Sequence, residues 1–435
     1  MKNKKIVIVG AGVAGINAAT KLVDNGYPGE LITIIDKGND PHNRLPEEVM
    51  TGMLGAGGWS DGKLTYHTAI GGVLSKYCGE EKAMELMDQV INNFRRFHPK
   101  PEEIFCSDPQ SEPEFIKPYF GLRLFPVWHI GSNYLHEIAK AWYQYLVDKG
   151  VRFEWETEVE DIDFNNNKVY THNTTLQYDS LIFAVGKSGI DFAQSLSNQY
   201  QLPTEPKSVQ IGVRYEAPQK YFQKLIDISY DFKLYQKFDN VSLRSFCTNN
   251  NAAYVAVEET YGDISYNGHA KKGEEFKNDM TNFGILMEIK GIENPFEWSR
   301  EIVKKCQFDL PVAKKSGLYY SPNLTRKPSL TSENNTVDSY QIVELSWFKD
   351  AFSEYADYIL NFIDQMNEVF EFGDDWGMYI PEVKYVSAEP LVNYDDLSLT
   401  TYNNIHFAGD ALSARGITVA GSQGIYIAEG ILKKM

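Results

Sequence analysis

Cysteine is scarce: four residues in a chain of 435, at Cys78, Cys106, Cys247 and Cys306. They form no C-x-x-C pair and no zinc spacing, which excludes a dithiol relay and gives no metal site to expect. Long apolar runs are also missing, and no stretch approaches the ~18 residues of a membrane span. Positive charge is in deficit, with 42 Lys and Arg against 59 Asp and Glu and a net charge of −17. Without a basic tail, that balance argues against nucleic acid or an anionic membrane as partner, because both are gripped by cationic contacts. Internal repeats and low-complexity tracts are absent. Lys2, Lys4 and Lys5 precede an apolar stretch as they would in a signal peptide. A glycine motif inside that stretch makes cleavage there destructive, so a cytoplasmic chain is expected.

What is present is an ordinary globular composition, 43% hydrophobic and 23% charged, long enough for two intertwined domains. Ile6 to Val9 is short and wholly apolar, the pattern of a buried parallel strand. It runs into Gly10-Ala11-Gly12-Val13-Ala14-Gly15, a G-x-G-x-x-G turn opening a helix. Gly10 permits the turn, Gly12 admits a pyrophosphate, and Gly15 lets helix and strand approach. The helix N-terminus offers unpaired N–H groups to the phosphates. Residues 31–36 read as a second strand ending in Asp36, an acid placed to accept hydrogen bonds from ribose hydroxyls. The order strand, fingerprint, helix, strand, acid defines a dinucleotide site.

Two further segments extend it. Residues 151–183 alternate like a small antiparallel unit, from Val151–Trp155 through Val159–Phe164 to a turn at Asn165–Asn167 and Lys168–Tyr170. A buried strand then ends in Ala184-Val185-Gly186. Near the other end of the chain, Ile405-His406-Phe407-Ala408-Gly409-Asp410 leads to Arg415-Gly416-Ile417 and a last helix. Asp410 could accept a hydrogen bond from a ribityl hydroxyl, or could cap that helix. The helix N-terminus would favour negative charge on a reduced flavin.

With these segments the chain resembles a family of FAD-dependent dehydrogenases in the glutathione-reductase-like, two-dinucleotide-binding-domain flavoprotein class. The resemblance includes Gly55–Leu64, His129–Leu135, Phe183–Gly189, Gln210–Glu216, Gly409-Asp410 and Ser413–Ile417. It implies FAD and redox chemistry and an α/β fold: a Rossmann-like FAD-binding domain, parallel sheet plus β-meander, with an inserted α+β substrate domain. The expected boundaries are 1–199 with 389–435 for the first and 200–388 for the second. The expected cofactor contacts are Gly10, Gly12, Val13, Ala14, Gly15, Asp36, Lys37, Arg44, Gly58, Trp59, Ser60, Val159, Ala184, Gly186, Gly409, Asp410, Gly416 and Ile417. In that family a Cys-Pro-Gly-Gly-like run follows Phe-Cys; here Phe246-Cys247 is followed by Thr248-Asn249-Asn250-Asn251. The resemblance therefore implies no shared substrate.

Elsewhere, apolar residues at helical spacing predict helices over 80–97, over 132–149 with Ser132 as N-cap, and over 345–370 as the longest. Val209–Tyr215, Val241–Cys247 and Ala253–Glu258 read as strands of one antiparallel sheet. Candidates for chemistry are Lys63, to stabilise reduced-flavin charge or hold an anionic substrate with Asp61 orienting it, His129 as general acid or base, and Arg415 as a cofactor or substrate contact. Arg214 could anchor a carboxylate or make an internal salt bridge. Tyr254, Tyr261, Tyr319 and Tyr320 are candidate cleft residues. The leading expectation is hydride transfer between flavin N5 and a small organic substrate, by dehydrogenation or by C=C or C=N reduction. Alternatives are a flavin monooxygenase, although the His-x-x-Pro that follows Gly-Asp in aromatic hydroxylases is replaced by Ala411-Leu412-Ser413-Ala414, and an RNA-modifying or non-catalytic flavin-binding protein. No second nucleotide fingerprint is evident, which leaves NAD(P)H as a transient reductant or an external electron donor or acceptor.

Overall fold

The computed structural model describes residues 4–45, 48, 50–60, 62–72, 74–109, 113–205, 208–251, 253–260, 263–270, 277–307, 312–315, 341–384 and 388–434. They form two compact units, one from Met1–Cys106, Pro126–Glu205 and Ser387–Met435, the other from Ser107–Phe125 and Pro206–Val386.

The first unit is built on a five-stranded parallel sheet. The opening strand Ile6–Val9 lies between Ser180–Phe183 and Ile32–Ile35, with Ile405–Phe407 and Arg152–Glu154 at the edges. Every residue of the two central strands Ile6–Val9 and Ser180–Phe183 is buried, as expected for strands covered on both faces. Arg152–Glu154 departs from the antiparallel expectation. Its exposed Arg152 and Glu154 alternate with half-buried Phe153, an edge strand's pattern that the sequence cannot tell from a meander. The antiparallel unit is the separate set Val159–Asp163, Lys168–Thr171 and Thr175–Gln177.

Three helices stack beside the sheet because small residues let them. A Cβ at Gly424, in the closing helix Ile417–Lys433, would lie 2.0 Å from the Ala14 carbonyl oxygen in the opening helix Val13–Asp24. Gly421 likewise admits Val90 of the helix Glu80–Phe97, whose Met87, Val90, Ile91 and Phe94 are buried. The next helix begins later than its pattern suggests. Ser132–Tyr134 form a 3₁₀ turn before Leu135–Asp148, and no side chain caps the helix, so Ser132 is not its N-cap. Buried Trp142 donates from Nε1 to Thr20 Oγ1 at 2.7 Å and stacks on Phe97.

His406, in the edge strand Ile405–Phe407, is buried, its Nδ1 lying 3.0 Å from the Asp396 carbonyl oxygen. Burial pushes its pKa from 6.5 down to about 4, with Asp396 acting against that. Above pH 6.5 neither the folded nor the unfolded chain holds this proton; between 6.5 and 4 only the unfolded chain does; below 4 both do. Stability from this group is therefore lost as pH falls from 6.5 to 4, by about 3 kcal/mol. Urea unfolding at stepped pH should show that slope, and His406→Gln should flatten it. Asp396 belongs to a more acidic window: against the pull of burial, hydrogen bonds from Lys434 and Ser398 hold its pKa below 3.8.

The second unit is a mixed eight-stranded sheet in the order Gln341–Ile342, Val312–Lys315, Gly377–Lys384, Val209–Pro218, Met280–Ile289, Val241–Asn250, Lys233–Lys237, Gly121–Arg123. Only the Val312–Lys315 and Gln341–Ile342 pair is parallel among the described strands. Pairing of Gly121–Arg123 with Lys233–Lys237 draws residues 107–125 into this unit. Against the expectation of one antiparallel sheet, Ala253–Thr260 does not join the large sheet but pairs with Asp263–Ala270 in a two-stranded ribbon. The long helical pattern is broken: Leu345–Phe352, a 3₁₀ turn Ser353–Tyr355 with Ser353 at φ +52°, then Ala356–Phe370. Both pieces bury Phe348, Phe352, Ile359, Phe362, Ile363 and Met366 in one core, so the apolar period runs across the break and conceals it. Among the described residues no helix is long and apolar enough to cross a membrane.

Candidate functional site

The carboxyl ends of the parallel strands open onto a cavity of ≈ 570 Å³ within the first unit. Its shape begins with the glycines after the opening strand, which do different work. Gly10 has φ +105°, and a Cβ there would lie 2.2 Å from the Ala184 carbonyl oxygen. A Cβ at Gly15 would lie 2.2 Å from the Gly10 carbonyl oxygen. The protein itself demands these two. Gly12, cap of the opening helix at φ −67°, is different: the nearest atom to an added Cβ is 3.8 Å away, and Gly12 lines the cavity with Gly10, Val13 and Ala14. Among the described residues, no atom requires Gly12 to be glycine. The open space beside it and the orphan N–H groups of a helix start suit a phosphate approaching the backbone.

Asp36 also lines the cavity, but its carboxylate is engaged by the protein: Oδ2 accepts from Ala11 N at 2.8 Å, and Oδ1 from Gly38 N at 2.8 Å and Gly52 N at 2.7 Å. A carboxylate has about four acceptor sites, so capacity for a hydroxyl remains. Lys37 and Val159 lie on the lining as well, Lys37 Nζ 3.8 Å from Glu158.

Gly55–Gly57 form the next wall, at the start of a 3₁₀ turn ending at Trp59. A Cβ at Gly57 would meet Val13 at 2.6 Å, so this loop lies against the opening helix. Gly58, Trp59 and Ser60 are not on the lining; Ser60 Oγ donates to the Gly57 carbonyl at 3.0 Å, and Trp59 is exposed. Arg44 is not on the lining either. Its guanidinium donates to the carbonyls of Glu48, Met53 and Gly55, and sits 5.4 Å from the Trp59 ring centroid. Burial pushes its pKa down to about 10, with Asp36 and Glu48 acting against that. It is placed to fix the glycine loop.

The far end of the chain closes the cavity. Gly409, Asp410, Arg415, Gly416 and Ile417 all line it, together with Ala184 and Gly186. Gly409 N donates to Gln423 Oε1 at 2.9 Å, and Arg415 Nε lies 3.8 Å from Asp410 Oδ1. Gly416 caps the closing helix without any side-chain hydrogen bond, so Asp410 is not the cap. The Gly71 carbonyl accepts from Arg415 N and Gly416 N, holding the helix start in place.

Lys63 and His129 are register partners on neighbouring strands, Lys63–Thr65 and Val127–His129, and neither lines the cavity. His129 stacks on Phe105 with ring centroids 4.6 Å apart. Gly15 sits behind the glycine turn, off the lining. Arg214 makes the internal salt bridge: fully buried in the second unit, its Nη2 is 2.8 Å from Glu382 Oε1. Tyr254 is also in that unit, and burial raises its pKa. Asp61, Tyr261, Tyr319 and Tyr320 lie outside the described residues. The sequence reading did not single out Met50, Thr51, Thr157, Glu158, Asp191 or Phe192, all on the lining. Most of these follow the ends of parallel strands, and the rule that ligands bind beyond the carboxyl ends of such strands would have found them.

No family model matches the chain, and no curated protein does. Solved structures similar to it include halogenase PltM in complex with phloroglucinol and FAD, 12% identical with a TM-score of 0.42 over 99% of this chain and 69% of that one. A flavoprotein/dehydrogenase from Cytophaga hutchinsonii is 13% identical, with a TM-score of 0.43 over 99% of this chain and 79% of that one. A 2-methyl-3-hydroxypyridine-5-carboxylic acid oxygenase is 10% identical, with a TM-score of 0.39 over 100% and 84%. Likenesses this low carry no weight for activity or substrate.

Proposed function

We propose that the protein is an FAD-dependent oxidoreductase that moves a hydride between the flavin and a small organic substrate. One observation supports this above the rest: the glycine turn at residues 10–15 and the Gly409–Ile417 segment, almost the whole chain apart, line a single cavity. An elongated ligand with a phosphate in its middle fits such a cavity, which lies in the size range of small-molecule sites. FAD is the cofactor. Gly12, Val13 and Ala14 hold its pyrophosphate by backbone contact, Asp36 a ribose hydroxyl, and Asp410 a ribityl hydroxyl. Gly186 leaves room along the lining, since among the described residues no atom lies within 4 Å of a Cβ added there. The closing helix presents its N-terminus at Gly416–Ile417, and that partial positive charge favours an anionic pyrimidine edge. When bound, FAD supplies the hydride acceptor or donor at its N5 atom. Arg415, on the lining and beside Asp410, holds negative charge on cofactor or substrate; His129 and Lys63 are retained as candidates for proton transfer and charge stabilisation. NAD(P)H acts at most transiently.

Anaerobic mixing of the purified yellow protein with a metabolite panel tests the reading. Bleaching of the flavin by one substrate, with stoichiometric oxidised product and no oxygenated product on readmitting air, is expected. An oxygenated product would establish the monooxygenase alternative, and flavin inert to every substrate and nicotinamide would point to a binding role.

A further inference from the structure

The sheet of the second unit has one apolar face, with Ile211, Val213, Ile285 and Met287 in the core, and one polar face. Strand alternation and register set out the polar face in rows. Lys384, Gln210 and Glu288 form one row, Glu382, Gly212, Leu286 and Arg244 the next, and Arg214, Gly284 and Phe246 the third. Most cations here have a carboxylate. Arg214 and Glu382 pair at 2.8 Å, Lys384 Nζ is 3.3 Å from the same Glu382 oxygen, and Lys233 Nζ is 2.6 Å from Asp231.

Arg244 does not. Its one hydrogen bond runs from Nη2 to Gln210 Oε1 at 3.3 Å, and it makes no ion pair among the described residues. Burial lowers its pKa; Glu288 acts against that, and Arg123 adds to it. Beside it, half-buried Phe246 has three cations around its ring: Lys384 at 5.3 Å, Lys233 at 5.6 Å and Arg244 at 5.8 Å from the centroid. A half-buried guanidinium with no carboxylate in contact adds little to stability, and a methionine of similar volume is often tolerated there. Its planar fork matches a carboxylate bidentately, and a phenyl face receives a flat ring.

We propose that this face binds a small planar organic monocarboxylate, its carboxylate taken by Arg244 and Lys384 and its plane set against Phe246. As a binding site within the second unit, it does not depend on the flavin reading. The carboxylate anchor that the sequence offered to Arg214 thus moves to Arg244, because Glu382 already occupies Arg214.

Isothermal titration of the full-length protein with benzoate and 4-hydroxybenzoate, and with benzamide as the uncharged control, tests the site. Both acids should bind and the amide should not. Arg244→Met should weaken the acids about 30-fold, the equivalent of a charge-assisted hydrogen bond, with an unchanged or raised Tm. Lys384→Gln and Phe246→Leu should each weaken them about 5-fold. Failure of both acids to bind the wild type at about 10 mM would overturn the proposal. So would wild-type affinity in Arg244→Met, or an equal response to benzamide. Flavin content is read on the same samples: acid binding by flavin-free protein supports this site while removing the oxidoreductase reading.

Discussion

Gly12→Val protein should purify folded and colourless. The substitution is expected to lower FAD affinity at least about 100-fold, roughly 3 kcal/mol, while leaving circular dichroism and Tm close to wild type. The reasoning turns on what surrounds the new atoms. At φ −67° the backbone suits any residue, and the first atom a Cβ meets is Ala184 O at 3.8 Å, so the protein accommodates the change. Replacing a glycine cap by valine costs about 1 kcal/mol of helix stability, too little to unfold the chain. The branched side chain instead fills the space through which a phosphate would reach the helix N-terminus. Gly10→Val is the contrasting control: with φ +105° and a carbonyl oxygen 2.2 Å from its Cβ, it should not fold. A normal flavin spectrum from Gly12→Val would show that the pyrophosphate lies elsewhere.

Gly424→Ala should be destabilising by about 3 kcal/mol, although the same change in an exposed helix stabilises by about 1 kcal/mol. The sign reverses because the methyl would sit 2.0 Å from Ala14 O and 2.8 Å from Ala14 C, both backbone atoms of the opening helix that cannot swing aside. Separating the two helices would displace Gly416–Ile417 from Val13–Ala14 across the cavity. A Tm drop of about 6–12 °C, as expected for a unit of this size, with flavin released at or before unfolding, is the measurement. A Gly424→Ala variant as stable as wild type would mean the helices pack less closely than described.

Much of the first unit was legible because its signals are local. Ile6–Val9 and Leu181–Phe183 are continuous apolar runs, and the turn at residues 10–15 is marked by the spacing of its glycines alone. What escaped depended on partners distant in sequence. Arg152–Glu154 looks antiparallel until its neighbour Ile32–Ile35 is known, and Ser353 breaks a helix whose apolar period continues undisturbed. Arg44 donates to three backbone carbonyls whose positions only the folded loop reveals. Arg214 and Arg244 lie on strands of similar appearance, and only the cross-strand register shows which one Glu382 satisfies.

The sheet order has a consequence for biogenesis. Ile405–Phe407 completes the sheet beside Ser180–Phe183, and the helix ending at Lys433 covers the opening one. The unit that holds the cavity therefore stays unfinished on the ribosome until residues 405–433 have emerged, however early its first strand does. Nascent chains stalled before residue 405 should be protease-sensitive in this unit and retain no flavin.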